Sequence, residues 1–368
     1  MKVIISGGGS GGHIFPAIAI ANAIRARHAD ADILFVGAEG KMEMEKVPAA
    51  GYPIEGLPIA GLQRKLTPAN IWKNLQLPLK MIRSRAKVKR ILADFRPDVV
   101  VGVGGFASEP TLKAAASLGY PTLLQEQNSY AGLTNKLLSR SARTICVAYD
   151  GMQRFFPADK IVFTGNPVRA DIEQMTCTRE EGLAHFALSP SMPTVLVVGG
   201  SLGARSINQM MLAALPSLAS AQVQYIWQTG RWGFDEARAA IRRHPDTCPV
   251  KVHQFIQRMD LAYAAADLVV SRAGAIAISE LCLVGKPVVL IPSPNVAEDH
   301  QTKNALALVD KGAALMVPDA ECSAKALPLA DELLKDQPRM QAMRQAIQTL
   351  AVRGAADKIV DQIEKIAK

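Results

Sequence analysis

Two segments of this chain share one design, in which a short apolar run leads into glycines and then into a helical pattern. The first is residues 3–12, Val-Ile-Ile-Ser-Gly-Gly-Gly-Ser-Gly-Gly, and the second is residues 194–203, Thr-Val-Leu-Val-Val-Gly-Gly-Ser-Leu-Gly. Glycine tolerates positive φ and lacks a Cβ, so its loops bring backbone amides close to an anion. The helix that follows adds unpaired amides and the positive end of its dipole. Each segment therefore predicts an anion site where a strand ends.

The same alternation of short β-rich runs and helical patterns fills the 368 residues and restarts near residue 193. It predicts two tandem α/β domains, each a doubly wound, Rossmann-like parallel sheet with helices on both faces. We assign residues 1–165 to the first domain and 166–351 to the second, because Pro167 interrupts any helix there. The last helix, within 352–368, can pack back on the first domain. Ligands of such sheets bind at the carboxyl ends of the strands, so the cleft between the domains is the predicted site.

Charge and cysteine content narrow the partners and the compartment. The net charge is +9 and the pI is about 9.3, which favours a polyanionic partner such as nucleic acid, an anionic membrane or a phosphorylated substrate. The five cysteines are scattered without a C-x-x-C pair, which favours a reducing compartment over a disulfide framework or a zinc site. We expect no signal peptide, because only Val-Ile-Ile separates Lys2 from the glycine loop. No run reaches the ~18 apolar residues of a transmembrane helix.

Taken alone, the glycine loops also fit two other enzyme classes. Residues 7–12 satisfy the dinucleotide fingerprint G-x-G-x-x-G, and Glu39 follows the second strand, where a ribose-binding acid would stand. That reading predicts a nicotinamide-dependent oxidoreductase. Ser10 and Ser201 each lie in G-x-S-x-G, the nucleophile elbow of serine hydrolases. Two elbows in one chain are easier to explain as two phosphate or sugar loops than as two nucleophiles.

The most specific segment lies in the second half, at Ser271–Pro292. A buried strand ends at Ser271 and a helix starts near Gly274, so the amides of the first helical turn can hold a diphosphate. Glu280 lies inside that helix and can accept hydrogen bonds from both hydroxyls of a ribose diol. A third glycine loop, residues 102–108, adds a further candidate lining to the cleft. A non-catalytic nucleotide-sugar or lipid-binding module stays open as an alternative to an enzyme.

These motifs together resemble the two-domain (GT-B) glycosyltransferases. The pattern G-A-x-x-x-S-E-x-x-x-x-G-K-P-x-x-x-x-P at 274–292 is similar to their nucleotide-sugar site. The ordered set G-G-G-S-G-G-H-I-F-P, G-V-G-G-F-A-S, E-Q-N, G-N-P-V-R, G-G-S-L-G-A-R and D-H-Q-x-x-N-A narrows the resemblance to the bacterial transferases that convert lipid I to lipid II in peptidoglycan synthesis. It implies inverting transfer of N-acetylglucosamine from its UDP derivative to the 4-hydroxyl of lipid-linked N-acetylmuramoyl-pentapeptide. Another UDP-sugar transferase with a lipid acceptor is the alternative.

The resemblance also implies which residues contact the substrates. The loop Ser10, Gly11, Gly12 would face the diphosphate and the sugar, and Asn128 would contact the N-acetylglucosamine. The remaining implied contacts are Arg169 and Ser201 on the nucleotide side, the Ile256 backbone at uracil, Ala275, Ile276, Ala277, Ile278, Ser279 and Glu280 at phosphate and ribose, and Gln301 at sugar hydroxyls. Ser10 stands where Thr is common and keeps the hydroxyl. Leu202 stands where many members have Gln, which puts a polar contact from that position in doubt.

For catalysis we expect no tightly bound metal. The D-x-D motif at Asp30–Asp32 stands just before the second strand, at the end of the sheet away from ligands. Helix N-termini and Arg169 would instead neutralise the leaving diphosphate. His13, which ends the first loop, is the predicted general base, because the ordinary imidazole pKa is close to neutral. Its alternative role is a hydrogen bond to the diphosphate or to the loop, and Glu126 is the second candidate base.

A basic and apolar segment at residues 63–96 predicts a membrane face. It holds ten Lys and Arg residues and one acid, with leucines, isoleucines and Trp72 between them. This composition fits adsorption to an anionic leaflet and suits a polyprenyl-diphosphate acceptor. Pro78 predicts two short helices rather than one long helix. The alternatives are an amphipathic core helix with a solvated basic face, or nucleic acid, for which no motif is present. We expect a peripheral protein on the cytoplasmic face of the bacterial inner membrane, without a nucleic acid partner.

Overall fold

The chain divides into two compact units. The computed structural model describes residues 1–59, 61, 67, 72, 75, 77–200, 202–218, 222–243 and 249–367. One unit comprises Met1–Arg169 together with Gly354–Lys368, and the other comprises Ala170–Arg353. The division follows Arg169, a few residues after the boundary that the sequence suggests, and the chain re-enters the first unit at Gly354.

The first unit is built on a parallel sheet. In its described residues the strand order is β3-β2-β1-β4-β5-β6-β7, so β1 lies at the centre. The strands are β1 Lys2–Ser6, β2 Asp32–Ala38, β3 Ile54–Leu57, β4 Val99–Gly102, β5 Thr122–Glu126, β6 Thr144–Val147 and β7 Ile161–Phe163. The helices are α1 Gly11–Arg27, α2 Glu43–Ala49, α3 Leu77–Phe95, α4 Ser108–Ser117, α5 Leu133–Leu138 and, at the chain end, α15 Ala355–Ile366.

The second unit repeats this architecture. Its described strands form a parallel sheet in the order β10-β9-β8-β11-β12-β13. They are β8 Thr194–Val198, β9 Gln224–Gln228, β10 Val250–His253, β11 Leu268–Ser271, β12 Val288–Leu290 and β13 Leu315–Met316. The helices are α6 Ala170–Glu173, α7 Arg179–His185, α8 Arg205–Leu218, α9 Phe234–Ile241, α10 Met259–Ala265, α11 Ala275–Val284, α12 His300–Val309, α13 Cys322–Lys335 and α14 Gln337–Gln348.

The two-domain, doubly wound α/β class predicted from the sequence is confirmed. Valine, isoleucine and leucine fill the central strands β1 and β8, and helices cover both faces of each sheet, so these strands read as continuous apolar runs. The sequence analysis missed β3, because Ile-Glu-Gly-Leu is neither a continuous apolar run nor a clear alternation. It lies at the sheet edge, where pairing with β2 alone defines it.

The last helix returns to the first unit. Along α15 the apolar side chains of Ile359, Val360 and Ile363 are fully buried against the face of the sheet that α1 also covers. On its solvent side Arg27 pairs with Asp361 at 2.5 Å and with Glu364 at 3.3 Å. This packing agrees with one of the arrangements predicted from the sequence, in which the last helix, within residues 352–368, packs back on the first domain.

Gly203 brings two loops of the second unit into backbone contact, and its replacement by Ala is expected to destabilise that unit. It has φ +88°, and an added Cβ would lie 2.1 Å from the Thr229 carbonyl oxygen. Gly312 is the matched control, with φ +66° and no heavy atom within 4 Å of an added Cβ. We expect Gly203→Ala to lower the free energy of unfolding by about 1–3 kcal/mol more than Gly312→Ala, the usual cost of overpacking. Chemical denaturation measures the difference, and equal losses would contradict it.

Candidate functional site

The first glycine loop follows β1 and already holds an anion of the protein itself. The Glu43 carboxylate, 1% exposed at the start of α2, accepts from the Gly9 amide at 2.9 Å and from the Ala38 amide at 3.1 Å. It lies so close to Gly8 that a Cβ there would fall 2.2 Å from its oxygen. The loop amide of Gly9 is therefore used internally. The first amides of α1, at Gly11 and Gly12, have no acceptor within the helix and remain suited to an anion.

His13 lies in the first turn of α1, where Ser10 is the N-cap residue. Its Nδ1 atom lies 3.1 Å from the Gly8 carbonyl oxygen and 3.3 Å from the Ser10 hydroxyl. A carbonyl oxygen only accepts, so Nδ1 carries the proton and Nε2 is the basic nitrogen of the neutral ring. An Nδ1 atom in this state cannot take a proton from Ser10, which argues against Ser10 as the nucleophile of a hydrolase.

Glu126 ends β5 and is buried, with 1% of its surface exposed. Its Oε1 accepts from the backbone and side-chain amides of Asn128 at 3.1 and 3.2 Å. Its Oε2 accepts from the Gly132 amide at 3.0 Å and the Asn135 side chain at 2.9 Å. This network orients Asn128 and the start of α5. It favours a positioning role for Glu126, whose two oxygens together accept four hydrogen bonds, and His13 is the better candidate of the two predicted bases.

A cavity of about 390 Å³ opens at the carboxyl edge of the second sheet. The loop after β8, the end of β11 and the start of α11 line it, as the repeated strand–glycine–helix design predicts. Its lining includes Gly199, Gly200, Gly203, Arg272, Gly274, Ala277, Ser293 and Gln301. Ser201, predicted to contact the nucleotide, lies outside the described residues.

The residues predicted to contact phosphate and ribose lie on helix α11, at Ala275–Val284. Gly274 is its N-cap residue, with φ −68° and ψ 141°, and the Ile278 amide is the first that returns to the Gly274 carbonyl. The amides of Ala275, Ile276 and Ala277 therefore have no partner inside the helix. The Ser279 hydroxyl donates to the Ala275 carbonyl at 3.0 Å, so it stabilises this first turn.

Glu280 lies one turn further along α11 and is 8% exposed. The Tyr263 hydroxyl of α10 donates to its Oε2 at 3.1 Å. A tyrosine donor of this kind fixes the orientation of the carboxylate. Tyr263 stands in an apolar run, and nothing in its sequence context assigns it to a ligand site.

Arg272 holds the wall of the cavity together. Its Nη1 donates to the Ile291 and Pro292 carbonyls at 3.0 and 3.2 Å and to Asp319 at 2.5 Å. Its Nη2 donates to the Ser206 hydroxyl at 2.9 Å. These bonds tie the ends of β11 and β12 to the start of α8. Arg272 lies inside the segment 271–292 that the sequence analysis identified. Its partners Ser206 and Asp319 are distant from it in the sequence, so no local pattern predicts them.

Two predicted contacts already use part of their hydrogen-bonding capacity. The Ile256 amide donates to Gln228 Oε1 at 2.8 Å, so its carbonyl is the backbone group left for a nucleobase. Gln301 Oε1 accepts from the Ser293 amide at 2.8 Å, which leaves its NH₂ group to donate to sugar hydroxyls. Arg169 is the last residue of the first unit before the chain passes into the second unit, and it is half-buried.

Models of glycosyltransferase family 28 match both units of the chain. The model described as the family 28 N-terminal domain matches residues 3–147, and the C-terminal domain model matches residues 194–359. A relative from Parabacteroides distasonis is 56% identical over 99% of this chain and 98% of its own length. One from Porphyromonas gingivalis strain W83 is 54% identical over 100% and 96%. Both are named UDP-N-acetylglucosamine--N-acetylmuramyl-(pentapeptide) pyrophosphoryl-undecaprenol N-acetylglucosamine transferase.

Solved structures give the same picture. The crystal structure of Acinetobacter baumannii MurG superposes with a TM-score of 0.77 at 29% identity, covering 99% of both chains. A UDP-GlcNAc 2-epimerase from Neisseria meningitidis, solved with UDP-GlcNAc, superposes with a TM-score of 0.65 at 14% identity over 99% and 100%. That second likeness is one of fold alone.

Proposed function

The chain belongs to glycosyltransferase family 28, and on that premise we propose that it moves N-acetylglucosamine from UDP-N-acetylglucosamine to lipid-linked N-acetylmuramoyl-pentapeptide. Full-length relatives with this activity in their names carry the assignment. The observation in the structure that supports it best is the second-unit cavity, which is lined at the start of α11, where the first amides have no partner inside the helix; Glu280 lies further along the same helix. These groups match a nucleoside diphosphate, with amides for phosphate and a carboxylate for ribose hydroxyls.

The reaction breaks the bond between the anomeric carbon and the diphosphate oxygen. The muramoyl 4-hydroxyl attacks that carbon from the opposite face, so the configuration inverts. His13 Nε2 takes the hydroxyl proton as the new bond forms, and the charge that develops leaves on UDP. The amides that open α11, together with Arg169, stabilise that charge without reorganisation during the reaction.

We propose that transfer proceeds without a tightly bound metal. Asp30 and Asp32, the D-x-D pair, lie at the amino end of β2, and Asp32 Oδ2 is 3.8 Å from Lys2 Nζ. Ligands of such a sheet bind at the other end. The leaving group is thus assigned to helix amides and arginine rather than to a metal held by this motif.

The activity is tested by UDP release in a coupled assay. With UDP-N-acetylglucosamine as donor, we expect UDP to form only when a lipid I analogue is present. Activity with only another sugar nucleotide or another acceptor would place the chain elsewhere in the GT-B class.

We further propose that the first unit adsorbs to an anionic membrane and not to nucleic acid. Helix α3 buries Ser84, Val88 and Leu92 and exposes Leu79 and Ile82. Trp72 and Leu75, just before it, are also exposed. Arg64, Lys65 and Lys73 of the predicted basic segment lie outside the described residues. The combination fits a leaflet of anionic lipid next to a polyprenyl acceptor, and five scattered cysteines favour its cytoplasmic side.

Charge reversal on α3 tests this surface. Arg83 and Arg90 are exposed, and the double variant Arg83→Glu/Arg90→Glu should weaken binding to anionic vesicles by at least about 30-fold, at roughly 1 kcal/mol per lost basic residue. Flotation of the protein with anionic and neutral vesicles measures it. Arg238→Glu/Arg242→Glu in the second unit, which makes the same change in net charge at exposed sites, should bind like the unmodified protein. Equal, negligible binding of the unmodified protein to both vesicle types would contradict the proposal.

No helix among the described residues combines the length and apolar character that a membrane span requires.

A further inference from the structure

One peptide unit links Glu43 to His13. The amide of Gly9 and the carbonyl of Gly8 belong to the same peptide bond and point in opposite directions. The amide donates to Glu43 Oε2 at 2.9 Å, and the carbonyl accepts from His13 Nδ1 at 3.1 Å. A rotation of this peptide would break both bonds together, so the carboxylate on one side fixes the acceptor that faces the imidazole on the other.

Glu43 is itself held rigidly. Its second oxygen accepts from the Ala38 amide at the end of β2, and its side chain is 1% exposed. It fits between the loop and the strand because Gly8 and Gly37 have no Cβ; at either position a Cβ would lie within 2.6 Å of Glu43 atoms. Burying a carboxylate costs free energy unless its oxygens are hydrogen-bonded. Both oxygens of Glu43 accept from a backbone amide.

We propose that Glu43 is a positioning residue that sets the tautomer and orientation of the His13 base through the Gly8–Gly9 peptide. A carboxylate that accepts from the amide polarises the peptide and makes its carbonyl a stronger acceptor for Nδ1–H. The proton is thereby kept on Nδ1, and Nε2 stays unprotonated and fixed in direction. In other enzymes a carboxylate hydrogen-bonds directly to a catalytic histidine and orients it. Here one peptide unit lies between the carboxylate and the imidazole.

The proposal rests on His13 as the base of the proposed transfer. Glu43→Gln tests it, because glutamine keeps the shape but has one acceptor oxygen for two amide donors. We expect kcat to fall by about tenfold or more, the scale of losses when a residue behind an active group is removed, with little change in KM for the donor. Glu45→Gln, an exposed glutamate on the same helix, is the matched control and should leave kcat unchanged.

Two readouts separate positioning from general damage. In a double-mutant cycle, Glu43→Gln should add little to the loss already caused by His13→Ala, because it acts through that ring. A purely structural role predicts losses that multiply.

Long-range ¹H–¹⁵N spectra of the full-length protein labelled with ¹⁵N-histidine report the tautomer directly. At a pH where the ring is neutral, His13 should carry its proton on Nδ1 in the unmodified protein and lose this preference in Glu43→Gln. The unmodified protein alone decides the point if the variant does not fold, since an Nε2–H tautomer there overturns the proposal. So does a folded Glu43→Gln protein with unchanged kcat and tautomer. The spectra need no transferase activity, so failure of the proposed reaction and failure of this inference are told apart.

Discussion

Replacing His13 by Ala is expected to lower kcat by at least ~100-fold, the low end of what a general base contributes. The Gly8 carbonyl accepts from Nδ1, so Nε2 is the basic nitrogen of the neutral ring. Alanine leaves the acceptor hydroxyl to lose its proton to water. The predicted phosphate and ribose contacts of α11 belong to the other unit and are unchanged in this variant, so KM for UDP-N-acetylglucosamine should change much less than kcat. Initial rates of UDP release over a range of donor and acceptor concentrations give both parameters.

His28→Ala is the matched control for that experiment. His28 caps the far end of the same helix, α1, and pairs with Glu364 at 2.8 Å on the surface. Its loss should leave kcat near that of the unmodified enzyme. A near-normal kcat for His13→Ala would remove His13 from the base role and leave it as a loop or diphosphate contact.

Replacing Glu280 by Gln is expected to raise KM for UDP-N-acetylglucosamine by about 10- to 100-fold. Hydrogen bonds to a charged acceptor contribute about 1.5–3 kcal/mol, and a neutral amide gives up most of that at the ribose diol. The ribose does not react, so hydrogen bonds to it stabilise the ground state and the transition state equally. Their loss should therefore raise KM and change kcat little. Steady-state kinetics with the donor varied at saturating acceptor measures the effect.

Glu236→Gln provides the comparison, since Glu236 is an exposed glutamate on α9 of the same unit. It should leave KM unchanged. A fall in kcat at constant KM for Glu280→Gln would mean that this carboxylate acts on the reacting centre rather than on the ribose.

The sequence predicted the fold well because its signals are local. Strands such as Val3–Ser6 and Leu268–Ser271 are continuous apolar runs that end in glycine or small polar residues, and both lie within a residue of the observed strands. The edge strand β3 was missed because two of its four residues, Glu55 and Gly56, are unfavourable in strands and only pairing with β2 selects the conformation.

The site was predicted only in part, and the reason is distance along the chain. The start of α11 and Glu280 were predicted because glycine, helix start and acid stand close together in sequence. Glu43 binds a loop 34 residues before it, and Tyr263 reaches Glu280 from another helix. Such partners depend on the packing of elements, which no local pattern encodes. The first loop is an example. Its glycines predict amides that are available to an external anion, but the Gly9 amide already donates to the Glu43 carboxylate.

The most direct test of the central claim is the structure of the product. The enzyme should be supplied with UDP-N-acetylglucosamine and a lipid I analogue, and the lipid product analysed by mass spectrometry and NMR. The account predicts one added N-acetylhexosamine, joined through a β linkage to the 4-hydroxyl of the muramoyl sugar, because the α-linked donor sugar is inverted. An α linkage, attachment at another hydroxyl, or free N-acetylglucosamine as the only product would contradict it.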